Sequence, residues 1–338
     1  MRSTPPRAVR SLLATLVISA VMFAHGGALA VAADWNAGFA KLSLRDPIAG
    51  GLMTGIVTYP TTAATHSVRL GPNELDVAEN APPAPGSHPL VIFSHGRGGL
   101  PESYHDVFTD LARRGFIVAG VAHPGDNYAD RSGANGDAEL VDRTRHVVAL
   151  IDYLLGDGPL DRAIDRSRIG VMGHLAGGYA ALLLVGARPD FSELGRRCRG
   201  NPNRPSGAAP VSHDPARTPV SDPRIRAAVI MAPAWGCLFD RDGLKDVGAP
   251  LRIYQGGADE LLHPRFTGEY LASELPVPPE FVNFATAGHF VFLAPCPFVM
   301  RMLAREICAD PSGIDRAALH ARMNAEIAEF FARTLAPP

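Results

Sequence analysis

The chain has 338 residues, 46% hydrophobic and 20% charged, which is enough apolar content to bury the core of one large domain and excludes wholesale disorder. Its 32 Lys and Arg are scattered against 34 Asp and Glu, a formal net charge of −2, so composition gives no electrostatic case for a nucleic-acid partner.

The first 30 residues read as a leader. Arg2, Arg7 and Arg10 precede an apolar run from Leu12 to Ala24, and Ala28-Leu29-Ala30 has the small-x-small form of a cleavage site. The run falls short of the roughly 20 residues that a membrane span needs, so a cleaved signal peptide is expected rather than an anchor. Cleavage after Ala30 removes three Arg and no acid, leaving 308 residues at a charge of −5. A periplasmic or secreted protein with no stable membrane insertion follows. That context favours disulfides for the four cysteines, none in a C-x-x-C pair. Of the three possible pairings, Cys296 with Cys308 and Cys198 with Cys237 are favoured; free buried thiols are the alternative.

From residue 31 to 338 strand-like and helix-like segments alternate, the pattern of one open, mostly parallel sheet covered on both faces. Segments 53–59 and 66–70 read as an opening antiparallel pair, 81–86 as a Pro-rich connector, and 89–93 as a fully apolar central strand. Further strands are expected at 116–121, 168–172, 225–231, 251–255 and 281–284, with helices at 102–113, 139–155, 176–185 and 264–274. Leu319, Met323, Ile327, Phe330 and Leu335 recur at helical spacing and mark a last helix with one face on the sheet. Residues 188–222, rich in Pro and Arg and containing Cys198, break the rhythm and read as an anchored lid.

The chemistry sits where strands end. Strand 89–93 runs into Ser94-His95-Gly96-Arg97-Gly98-Gly99, a turn able to bring backbone N–H groups of His95, Gly96 and Arg97 against a developing oxyanion. Gly173-His174-Leu175-Ala176-Gly177 has the frame of the G-x-S-x-G nucleophile elbow, in which the amide after the nucleophile, here Ala176, is the second oxyanion donor. Leu175 holds the central position, and leucine has neither a proton to give up nor a lone pair to attack with. Asp259 follows strand 251–255 and His289 follows 281–284, so elbow, acid and histidine come in the chain order of a hydrolase triad. His289 is the candidate general base and Asp259 its orienting acid, with Glu260 as the fallback. Trp235 and Phe290 are candidate substrate contacts. No metal-ligand spacing is present, and no cofactor is expected.

With the segments 88–96, 122–126, 173–177 and Gly288-His289-Phe290, the chain resembles the α/β-hydrolase superfamily, in particular its dienelactone-hydrolase and platelet-activating-factor-acetylhydrolase-like branch. The resemblance implies an eight-stranded, mostly parallel sheet with helices on both faces. It also implies hydrolysis of small-molecule esters, lactones or short acyl groups. Where that branch has serine or cysteine this chain has Leu175, and where the acetylhydrolases carry their acid after an earlier strand it has Pro233. Three readings of Leu175 remain open. The pocket is kept to bind an acyl or other hydrophobic ligand without turnover; or an active serine was altered, one base separating TCG from TTG; or Ser94 attacks in its place.

Overall fold

In the computed structural model of the chain, residues 1, 35–134, 136–156, 158–193, 198 and 218–337 are described. The expected leader at 1–30, apart from Met1, and most of the segment 188–222 read as a lid lie outside them.

Among the described residues ten strands follow one hydrogen-bonded order, β10-β9-β8-β7-β5-β6-β2-β1-β4-β3. The first six neighbours in that order are parallel: β10 (Glu280–Phe284), β9 (Leu251–Gly256), β8 (Ile225–Met231), β7 (Ile164–His174), β5 (His88–Ser94) and β6 (Ile117–Val121). Two antiparallel strands, β2 (Leu52–Thr61) and β1 (Asn36–Arg45), complete eight. The hairpin of β3 (His66–Leu70) and β4 (Asn73–Glu79) extends the sheet, joined to β1 through only two residue pairs.

This corrects the expected opening pair. The segments at 53–59 and 66–70 are both strands, but β2 pairs with β1 and β6, and β3 pairs with β4. Alternating apolar residues identify a strand and say nothing of its partner, which is set by the tight turn at Gly71 and by the sheet edge that is open. The central strands β5, β6 and β8 are buried almost throughout, as continuous apolar runs require when helices cover both faces.

Among the described residues the α-helices are α1 (His105–Arg113), α2 (Arg143–Leu155), α3 (Ala176–Leu184), α4 (Arg241–Leu244), α5 (Gly268–Glu274), α6 (Phe298–Leu303), α7 (Arg305–Cys308) and α8 (Arg316–Thr334). Asp315 caps α8 by accepting from the Ala318 amide at 3.0 Å. Its apolar face, with Met323, Ile327, Phe330 and Phe331 buried, lies on the sheet: a Cβ at Gly170 of β7 would sit 2.6 Å from the Phe331 ring. Both favoured disulfides are formed. Cys296–Cys308 closes the loop around α6 and α7, and Cys198–Cys237 joins residue 198 to the turn after β8.

Candidate active site

The elbow is built by β7, Leu175 and α3. Leu175 has φ 55° and ψ −114°, a strained conformation for a residue with a branched side chain. Main-chain bonds hold it there. Its N–H donates to Met231 O (3.0 Å), and its carbonyl accepts from the Ala234 (2.9 Å) and Tyr179 (3.1 Å) amides. The flanking glycines have no room for a side chain: a Cβ at Gly173 would lie 2.3 Å from Gly177 O, and one at Gly177 would lie 1.9 Å from Ser94 O. Gly177→Ala is therefore expected to cost about 3 kcal/mol or more of stability. Gly178→Ala, whose Cβ would have its nearest neighbour at 3.2 Å, is expected to cost less; urea midpoints of the two variants check this.

Asp259, after β9, and His289, after β10, meet beside the elbow. His289 Nδ1 donates to Asp259 Oδ2 at 2.8 Å, with both side chains buried. The other carboxylate oxygen accepts from the Leu261 (2.9 Å) and Leu262 (2.6 Å) amides, so three donors fix the acid. With its Nδ1 proton committed, His289 presents the lone pair of Nε2, which is buried and has no hydrogen-bond partner among the described residues.

The His174 ring lies 5.2 Å from that of His289. His174 Nδ1 accepts from the Tyr104 hydroxyl (2.8 Å), which itself accepts from the Gly96 amide (3.1 Å). Burial, with His289 nearby, holds His174 well below the usual imidazole range, and burial pushes the Tyr104 phenol up. Both are neutral, and they link the loop after β5 to the elbow. A Cβ at Gly96 would lie only 3.6 Å from Leu175 Cβ.

Among the candidate oxyanion residues, the Gly96 amide is thus already engaged. The His95 side chain is buried and turned into the loop, Nδ1 donating to Gly96 O (2.7 Å) and Nε2 accepting from the His123 amide (3.1 Å). Burial, with the Arg143 charge, brings its pKa down to about 3. Arg97 pairs through Nε with Glu139 at 2.8 Å, and Ala176 opens α3.

The loop itself is fastened from beneath by residues that sequence reasoning did not single out. Arg143, buried on α2, donates to His95 O (2.5 Å) and to Asp126 Oδ2 from both Nε (3.0 Å) and Nη2 (2.6 Å), while Asp126 Oδ1 accepts from the Gly98 amide (2.9 Å). Asp126 was visible only within the resemblance. An arginine on a helix carries no local signal that it will reach a loop some 48 residues away.

Ser94 is fully buried and points elsewhere. Its Oγ lies 2.8 Å from His123 Nε2 and accepts from Arg143 Nη1 (3.3 Å), so it is not placed on His289 and does not take over the role of residue 175. Trp235, 4% exposed and packed edge-on against Tyr179 with centroids 5.1 Å apart, is a core residue of the turn after β8 rather than an open substrate contact. Phe290 is half-buried against the His289 ring. Among the described residues no group of His, Cys, Asp and Glu could hold a metal, and no helix is long and apolar enough to cross a membrane.

The family model "Platelet-activating factor acetylhydrolase, isoform II" matches residues 51–140, the stretch holding β2 to β6 and the loop after β5. A platelet-activating factor acetylhydrolase of Canis lupus familiaris is 27% identical over 138 residues, covering 28% of this chain and 31% of the dog protein. The chain thus spans about a third of the length of that relative. A ferulic acid esterase from Streptomyces cinnamoneus superposes with a TM-score of 0.63 over 90% of this chain and 94% of its own, at 19% identity. The strand order, the elbow between β7 and α3 and the likeness to that esterase show an α/β-hydrolase-type fold, and over residues 51–140 the sequence is similar to the platelet-activating-factor acetylhydrolase isoform II family.

Proposed function

We propose that the chain is a carboxylic-ester hydrolase of small-molecule esters, complete except for the attacking atom, and that with Leu175 in place it is nearly inert towards them. The observation that carries this reading is the buried His289–Asp259 pair, whose Nε2 lone pair is left without a partner beside a strained elbow. In this reading Asp259 fixes the tautomer of His289 and stabilises the imidazolium, and His289 is the general base. With the Gly96 amide engaged by Tyr104, the Arg97 and Ala176 amides are the pair assigned to the oxyanion. Two disulfides support export to an oxidising compartment after loss of a leader at 1–30. We read residues 31–338 as one domain.

A fluorophosphonate tests the site directly, because an activated serine Oγ displaces fluoride from phosphorus and stays bonded to it. Leu175→Ser is expected to gain the phosphonyl mass on residue 175, and Leu175→Ser with His289→Ala to lose it. No adduct in a folded Leu175→Ser protein overturns the proposal. A second reading, a non-catalytic protein that binds a hydrophobic or acyl ligand, draws on the apolar side chain at the elbow. It predicts thermal stabilisation by fatty acyl compounds with no labelling.

A further inference from the structure

His320 lies on α8, well away from the elbow in sequence, and is buried. Both of its ring nitrogens have oxygen partners. Nδ1 is 2.5 Å from Asp106 Oδ2 on α1, and Nε2 is 2.7 Å from the carbonyl of Val291. A carbonyl and an ionised carboxylate only accept, so both nitrogens donate, and only the imidazolium has two N–H groups. Val291 belongs to the short turn His289–Phe292, two residues past His289 itself. One buried cation therefore joins α1, α8 and the turn that carries the candidate base.

We infer that His320 is a positioning residue for His289: as an imidazolium it holds the carbonyl of Val291, so the ring that Asp259 orients depends on a proton bound outside the site. The clamp stands on its own geometry, and only its link to catalysis rests on the reading of His289 as base. The groups facing it agree. Burial alone would lower His320, but the hydrogen bond and charge of Asp106 outweigh it and hold His320 above the ordinary imidazole range. Burial would raise Asp106, and the bond from His320 outweighs that in turn. Asn324 on α8 also donates to Asp106 (3.3 Å), and His105 on α1, beside the pair, is held low by burial. Arg316, one turn earlier on α8, opposes the charge but is itself paired with Asp310 at 2.7 Å. Deprotonation leaves one donor for two acceptors, so the clamp is complete at low pH and is lost as pH rises through the raised value.

The test is an imidazole ¹⁵N and low-field proton NMR titration of the Leu175 chain from about pH 5 to about pH 9, across the ordinary imidazole value of about 6.5. His320 is expected to carry protons on both nitrogens at neutral pH. The Asp259-bound Nδ1 proton of His289 is expected to shift at the midpoint of His320. In His320→Gln that step disappears and the His289 proton exchanges about tenfold faster. Ile327→Val, a core change on the same helix, keeps both. Should His320→Gln fail to fold, Asp106→Asn moves the His320 midpoint, and with it the His289 step, below about 6.5. A neutral His320 at pH 7, or a His289 step that does not follow His320, overturns the inference. Because nothing here requires turnover, the result is independent of whether Leu175→Ser hydrolyses esters.

Discussion

Leu175→Ser is expected to raise hydrolysis of a short-chain p-nitrophenyl ester by up to about 10⁶-fold over the parent, on the order of 8 kcal/mol of barrier. The size of the effect follows from how little else has to change. The residue at 175 is already held at φ 55° by bonds from its own backbone to Met231, Ala234 and Tyr179. His289 already has its tautomer fixed by Asp259 and its Nε2 unpaired. A serine hydroxyl placed there gives its proton to that nitrogen as the oxygen attacks. Leu175 is only half-buried, so its loss opens no large cavity. The parent should retain at most the background that binding and backbone donors supply without a nucleophile, about 10³-fold over water. A folded Leu175→Ser protein whose rate stays at the parent level defeats the hydrolase reading and leaves ligand binding in front.

The second large expected effect is loss of stability in mild acid. His95, His123, His146 and His174 are all buried, and each is held below the ordinary imidazole value, by burial first; the Arg143 charge adds to this for His95, His123 and His146, and His289 for His174. His95 comes down to about 3 and His146 to about 4. The unfolded chain binds these four protons near pH 6.5 while the folded chain refuses them, so unfolding takes up protons and stability falls as pH falls. Four protons at about 1.4 kcal/mol each per pH unit give a limiting slope on the order of 5 kcal/mol per unit between about pH 6 and about pH 4, enough to unfold an ordinary domain. His320 works in the opposite sense, contributing stability at low pH that fades above its raised value. Urea midpoints from about pH 7.5 to about pH 4.5 measure the slope. A flat profile down to about pH 5 would mean that these imidazoles are charged within the fold.

Local pattern carried much of this structure into the sequence. The apolar run 225–231 coincides with β8 to the residue, and the other expected central strands lie within a few positions of the observed ones, because continuous apolar runs bounded by Gly and Pro have few other uses. Leu175, Asp259 and His289 stand out in the sequence because each follows a strand, and the fold brings Asp259 and His289 into contact. The strands β1 and β4 were missed for a physical reason. In β4 Glu74, Asp76 and Glu79 depress strand propensity, and only Leu75 and Val77 to Ala78 face inward. The supports of the site, Tyr104, Arg143 and His320, were illegible for another. Each acts on a backbone or side chain that is distant in sequence, and a single buried polar residue leaves no period to read.

The bonds that hold residue 175 all run through its main chain, and this separates the socket from its occupant. The rest of the chain specifies the socket, through Gly173, Gly177 and the turn after β8, while a single codon chooses what stands in it. Any side chain tolerating that backbone is held by the same main-chain bonds, so in the proposed reading thiol, carboxylate or hydroxyl chemistry at the elbow differs by one residue. The frame of the elbow is thus kept by the fold whichever side chain occupies it.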